Sequence, residues 1–126
     1  MEYPQHKKAK FILKSILIHL GYVVKEEVSM PPIKTYLGER NYILDLLAIK
    51  DGKAICFELD GFRGHSTKRD FAKMNLRDKV LFQWYRIKTV RIRVRDLVGQ
   101  KKIPLPIILK EIEWQLAPAK TTSASR

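Results

Sequence analysis

A single cysteine, Cys56, stands in a chain of 126 residues. One thiol cannot close a disulfide within the chain, and it excludes a four-cysteine zinc site as well. It fits a reducing, intracellular setting, cytoplasmic or nucleoid-associated. Long apolar runs are also missing. The most apolar early stretch, "FILKSILIHLGYVV", is broken by Lys14 and His19. It is too short to cross a bilayer and lacks a signal peptide's cleavage pattern, so no membrane partner is expected. No internal repeat is visible. Acids are scarce, 13 against 25 Lys and Arg, which leaves a net charge of +12. That excess says nothing about the fold, but it points to an anionic partner, nucleic acid before an acidic membrane surface.

What is present suffices for one core. Hydrophobic residues make up 45% of the chain, enough for a single domain over residues 1–116. The last ten residues, "APAKTTSASR", are small and polar and predict a disordered tail. Residues 5–20 carry Ala9, Ile12, Leu13, Ile16, Leu17 and Leu20 at steps of three and four, a helix with one apolar stripe between Pro4 and Gly21. "YVVKEEVSM" predicts a strand ended by Pro31-Pro32, with residues 33–40 as loop. "NYILDLLAIK" and "KAICFELD" flank Asp51-Gly52, a pair that suits the positive φ angles of a two-residue hairpin turn. Residues 67–86 predict a second helix with Phe71, Met74, Leu81 and Trp84 inward. "TVRIRVRDL" alternates, with Val90, Ile92 and Val94 on one face and Arg91, Arg93 and Arg95 on the other. "IILKEIEWQL" predicts a last helix after a loop over residues 99–106. The order is α/β: a mixed β-sheet flanked by helices, with an αβββαβ core and a C-terminal helix.

The hairpin register carries the chemistry. In a two-residue hairpin Lys50 faces Lys53, which sets Asp45 opposite Glu58. Glu58 and Asp60 share a face because strand side chains alternate. Three carboxylates are thus expected at one end of the hairpin. Like charges raise one another's pKa, and burial raises them further, so such a cluster calls for a cation. Oxygen-only ligands suit Mg²⁺ or Mn²⁺, which also bind phosphate. His65, five residues beyond Asp60, is placed to accept a proton from a bound water. An ion pair of Glu58 or Asp60 with a nearby arginine is the competing explanation. From Arg63 to Arg95 eleven Lys and Arg stand against Asp70 and Asp78. The carboxylates are therefore followed at once by a basic stretch, which would hold the phosphates that the acids repel. Candidate phosphate ligands are Arg63, Lys68, Arg69, Lys73, Arg77, Arg91 and Arg93.

"YILDLLAIKDGKAICFELDG" resembles the Asp…Glu-x-Lys hairpin of the PD-(D/E)XK nuclease superfamily. "FELDGFRGH" with the following "NLRDKVLFQWYRIKTVRIR" resembles, more narrowly, the branch of very-short-patch repair endonucleases, their DUF559 relatives and the EDxHD homing endonucleases. The resemblance runs over roughly residues 6–116. It implies a restriction-endonuclease-like αβββαβ core and a Mg²⁺-dependent DNA endonuclease. By position, Asp45 and Glu58 or Asp60 would bind the metal, His65 would act as base or assist the leaving group, and Arg77 with Asp78 would match the family's helix pair. The sequence departs from that pattern in three places. Asp60 stands where the wider superfamily has lysine, so that role must pass to His65, Lys68 or Lys73. The repair enzymes' Cys/His zinc site has no counterpart. The first helix contains no acid, which leaves Glu26 or Glu27 as substitutes. The expectation is a repair or structure-selective endonuclease acting on DNA, with a homodimer allowed. Its alternatives are a dimeric junction resolvase, or a degenerate nuclease fold that only binds nucleic acid.

Overall fold

The computed structural model describes residues 4–36, 38–61 and 68–117, apart from the side chains of Thr35 and of residues 68–71. Helix α1 (Pro4–His19) is followed by β1 (Val23–Ser29), a short ribbon of β2 (Ile33–Thr35) and β3 (Gly38–Arg40), and the hairpin β4 (Ile43–Lys50) and β5 (Lys53–Asp60). Helix α2 (Lys68–Tyr85), strand β6 (Lys88–Arg93), a single helical turn α3 (Val94–Leu97) and helix α4 (Leu105–Leu116) complete the order. The main sheet runs β1-β4-β5-β6. Its first three strands are antiparallel neighbours, and β6 lies parallel to β5 after the crossover through α2. This is the mixed, helix-flanked α/β sheet that the sequence predicts.

Both faces of the sheet are covered. Leu46, Ala48, Phe57, Leu59, Val90 and Ile92 meet Ala9, Leu13 and Leu17 of α1 and Ile108 and Ile112 of α4. On the other face Leu44, Leu47 and Cys56 meet Leu81 of α2 and Ile87. The Asp51-Gly52 turn has positive φ at both residues, 53° and 76°, as an Asp-Gly hairpin requires. Lys50 does pair with Lys53. Lys50 relieves the like-charge contact by turning to the end of α1, where its Nζ donates to Leu20 O at 2.8 Å.

Three local expectations are corrected. Within the stretch expected as loop, residues 33–35 and 38–40 pair as a ribbon, because Ile33 is 3% exposed and anchors its base, while Gly38 adopts a φ of 118° open only to glycine. The strand expected over residues 89–95 stops at Arg93. Val94 belongs to two patterns, the period of two with Val90 and Ile92 and the helical spacing with Leu97 and Val98, and the second wins with all three buried. Trp84 does not face inward as expected but is 60% exposed, whereas Leu81 is fully buried. Phe71's side chain, the segment 62–67 and the tail from residue 118 lie outside the described residues.

Candidate metal and nucleic-acid site

The hairpin ladder holds the predicted register as far as Leu46–Phe57 and then gives way to side chains. Asp45 N–H donates to Glu58 Oε2 at 3.0 Å, and Leu59 N–H donates to Asp45 Oδ2 at 3.1 Å. Each strand's carboxylate thus accepts a main-chain proton from the other strand. Ionised oxygens outcompete carbonyls as acceptors, so the ladder ends where the two acids meet. The irregularity is visible in packing too. Leu44 and Leu46 fall in different core clusters, although strict alternation would place them together.

Glu58 sits deep at this junction, with its side chain 13% exposed. Cys56 Sγ–H donates to Glu58 Oε2 at 3.2 Å, and Arg77 Nη1 of α2 approaches Oε1 at 3.4 Å. Burial first, and then the Asp45 charge, push the Glu58 carboxyl above the usual carboxylate range, while Arg77 pulls it back. Burial and Glu58 together also push the Cys56 thiol far up, so this cysteine stays protonated and is no nucleophile. Arg77 is fixed further by a 2.8 Å bond from Nη2 to Ile43 O and by stacking over Tyr42.

Asp60 lies on the same face but is drawn to a second arginine. Arg91 Nη1 reaches Asp60 Oδ1 at 3.2 Å. The same guanidinium clasps Asp78 of α2 with two bonds, Nη2 to Oδ1 at 2.7 Å and Nε to Oδ2 at 3.2 Å. The register explains the meeting: Glu58 is the Cα partner of Arg91, and Asp60 that of Arg93. Asp78, read in the sequence only as half of a helix pair, is the residue that the spacing argument missed. Its signal was the arginine directly before it, since consecutive helix residues Arg77 and Asp78 reach the two ends of one carboxylate row.

The cluster therefore contains four carboxylates (Asp45, Glu58, Asp60, Asp78) and two guanidiniums (Arg77, Arg91). With all ionised it carries two negative charges in excess, and the Asp45 charge adds to burial in raising the Glu58 pKa. The donor set is all oxygen, the ligand type of Mg²⁺ or Mn²⁺, and the excess equals the charge of one divalent cation. Among the described residues no three acids, histidines or cysteines are arranged to close around an ion. The contacts give the reason. Asp45 and Glu58 each spend an oxygen on main-chain N–H groups, and Asp60 is held by Arg91. Neither substitute for an acid on the first helix joins the cluster. Glu26 pairs with Lys14 and Glu27 with Lys10, each at 2.6 Å, both turned to α1.

The predicted phosphate ligands divide into two groups. Arg77 and Arg91 point inward, 22% and 17% exposed, to the carboxylates. Arg93 is 57% exposed and pairs with Asp96 at 3.1 Å. Lys73 is exposed, as are Lys79, Arg86 and Arg95. Arg63 and His65 lie outside the described residues; Lys68 and Arg69 belong to the first turn of α2, and their side chains lie outside the description. Lys73, the described candidate for the missing superfamily lysine, makes no ion pair with the acid cluster. Beyond Arg91 and Arg93 opens a groove of about 450 Å³ between β6 and α4, floored by Ile103, Ile107 and Ile108.

No protein-family model matches the chain, and no curated protein matches it. The described helices include none long and apolar enough to cross a membrane.

Proposed function

We propose that the protein is a metal-dependent DNA endonuclease of the repair or structure-selective kind. The observation that carries this reading is the interlock of Asp45 and Glu58 at the end of the β4–β5 hairpin, two acids forced together and under-compensated beside a basic helix. Structural acids seek arginines one to one. Here Glu58 takes Arg77, Asp60 and Asp78 share Arg91, and Asp45 bonds the main chain of Leu59. Mg²⁺ or Mn²⁺ held by Asp45, Glu58 and Asp60 would supply charge neutralisation at a scissile phosphate and a bound water of lowered pKa. The chain's own residues do the rest. The hairpin fixes the two acids by main-chain bonds, so their geometry does not depend on flexible loops. Lys73 and Lys79 on the exposed side of α2 offer phosphate contacts, and Arg93 and Arg95 do so beyond β6. His65 is the proposed proton acceptor. A homodimer working as a junction resolvase is compatible with the same site.

A second reading, a degenerate nuclease fold that only binds nucleic acid, is favoured by one observation. Glu58 and Asp60 each contact a guanidinium, as acids do when they have become structural. Labelled duplex, flap, mismatch, four-way junction, single-stranded DNA and RNA, incubated with and without Mg²⁺, separate the two. The nuclease reading expects Mg²⁺-dependent cleavage of at least one DNA substrate. Tight binding of DNA with no cleavage in Mg²⁺ or Mn²⁺ would replace it with the second.

A further inference from the structure

The ribbon of β2 and β3 stands apart from the main sheet and pairs only with itself, Ile33 with Arg40, Lys34 with Glu39 and Thr35 with Gly38. Its root is held and its tip is bare. At the root Ile33 is buried, and Met30 N–H donates to Tyr42 O at 2.8 Å, which closes the base across the two legs. On the outgoing leg Tyr85 of α2 donates its hydroxyl proton to Pro31 O, and Pro31 and Pro32 stiffen the chain there by fixing φ. On the return leg Arg77 of α2 stacks over Tyr42 and bonds Ile43 O. Side chains of α2 thus grip both legs. At the tip Tyr36 is 95% exposed, more than any other large hydrophobic side chain among the described residues. Single exposed aromatics are common on protein surfaces. What sets Tyr36 apart is the braced arm beneath it, since a ring that far into water adds nothing to the fold. The return leg runs directly into β4, so the arm leaves the sheet at the end where Asp45 and Glu58 meet. Lys34 and Arg40 are exposed along it against one acid, Glu39.

We infer that the β2–β3 ribbon is a DNA-sensing arm, whose Tyr36 ring stacks on an unpaired base at a fork, flap or junction while Lys34 and Arg40 contact the flanking phosphates. The inference names a substrate class for the DNA-binding reading above and rests on it, but it requires no metal. Inside a continuous duplex both faces of every base are covered by neighbours. At a fork or flap one face is free, and an aromatic ring covers it without first unstacking anything. Two cations are too few to hold a duplex by themselves. They suffice to set the path of a strand whose main electrostatic hold is the rest of a surface with a net charge of +12. The arm therefore reads the structure of DNA rather than its sequence, and its rigid root fixes the distance between the sensed base and the hairpin end.

Fluorescence anisotropy of the full-length protein with a forked DNA and with its fully paired counterpart, in the absence of divalent metal, tests this. Tyr36→Ala should weaken binding to the fork by about ten-fold and to the duplex by less than about two-fold, whereas Tyr36→Trp should keep the preference for the fork. Stacking releases no counterions, so Tyr36→Ala should leave the salt dependence of fork binding unchanged, while Lys34→Ala and Arg40→Ala should each flatten its slope by about one. 2-Aminopurine placed as the first unpaired base should lose emission when wild type binds and keep it with Tyr36→Ala. Trp114→Ala is the control, an aromatic 74% exposed on α4, which packs on the opposite face of the sheet from α2. It should move neither affinity by more than about two-fold. Unchanged fork binding by Tyr36→Ala, equal losses on fork and duplex, or equal losses from Tyr36→Ala and Trp114→Ala would overturn the proposal. So would sedimentation showing self-association that Tyr36→Ala abolishes with fork binding intact, which would make the arm a contact between two copies. Wild-type protein that binds neither DNA would overturn the nucleic-acid reading itself, a result distinct from binding that ignores Tyr36.

Discussion

Replacing Arg77 by methionine tests the electrostatics of the cluster without any assumption about catalysis. Methionine keeps the aliphatic stem in place and removes the cation that pairs with Glu58. Breaking a buried ion pair from one side costs about 3–5 kcal/mol, because the other charge is left uncompensated. Arg77 and Glu58 retain 22% and 13% exposure, and Arg77 is 3.4 Å from its partner rather than in close contact. The cost here should therefore be about 2–3 kcal/mol at neutral pH, including the bond to Ile43 O, discounted for that solvent access. For a domain of this size that lowers Tm by roughly 10 °C. The pH dependence supplies the sharper check. Glu58 has a folded pKa above its unfolded value. Such a group contributes its full stability below the unfolded pKa and loses it as pH rises through the folded one. Without Arg77 the folded pKa rises further, so the loss at neutral pH grows. On acidification Glu58 takes a proton and the gap between variant and wild type should shrink to about 1 kcal/mol, the worth of the Ile43 bond alone. Urea unfolding followed by circular dichroism at neutral and mildly acid pH measures both gaps. Adding Glu58→Gln to Arg77→Met should restore about 1–2 kcal/mol at neutral pH, since the orphaned charge is gone. A gap that is the same at both pH values, or a double variant no more stable than Arg77→Met, would refute this account of Glu58.

Other consequences follow from the same geometry. Asp45→Asn should abolish cleavage while DNA binding, measured by fluorescence anisotropy, persists or tightens, since one repelling charge leaves; unfolding with unchanged Mn²⁺ affinity would make the acid structural. His65→Ala should cut single-turnover cleavage by about 10²–10⁴-fold with Mg²⁺ dependence nearly unchanged, the range of a proton-transfer role. The logarithm of DNA affinity should fall with the logarithm of salt, and Lys73→Ala with Lys79→Ala should flatten that slope by about two; inward-facing Arg91 should contribute less to the slope than either lysine. Gln115→Ala should cost about 1–2 kcal/mol in urea unfolding, because it exposes both main-chain groups of Arg91 on the edge strand, and concentration-dependent association should rise by analytical ultracentrifugation.

Much of the fold was legible because periodicity and turn chemistry agreed. The α1 stripe, the Asp51-Gly52 turn and the Val90–Ile92 alternation each follow from local spacing, and each is present. The register drawn from the turn sets Asp45 against Glu58, and those two acids do meet. Two kinds of information were hidden. Val94 satisfied a strand pattern and a helix pattern at once, and only tertiary packing decides between them. The fate of the arginines was hidden too. Arg91 and Arg93 alternate with core residues identically in sequence, yet one is buried on Asp78 and the other is mostly exposed. That difference comes from α2 lying over one end of β6, which no local pattern encodes. Asp60's pairing with Arg91 was hidden for the same reason.

Cleavage of supercoiled plasmid by the purified protein, with Asp45→Asn prepared in parallel, tests the central claim most directly. The account predicts nicked or linear product with wild type in Mg²⁺, none after chelation, and none with Asp45→Asn although that variant still binds the plasmid. Equal cleavage by wild type and Asp45→Asn, or intact plasmid from a wild-type protein that binds DNA in the presence of Mg²⁺, would contradict it.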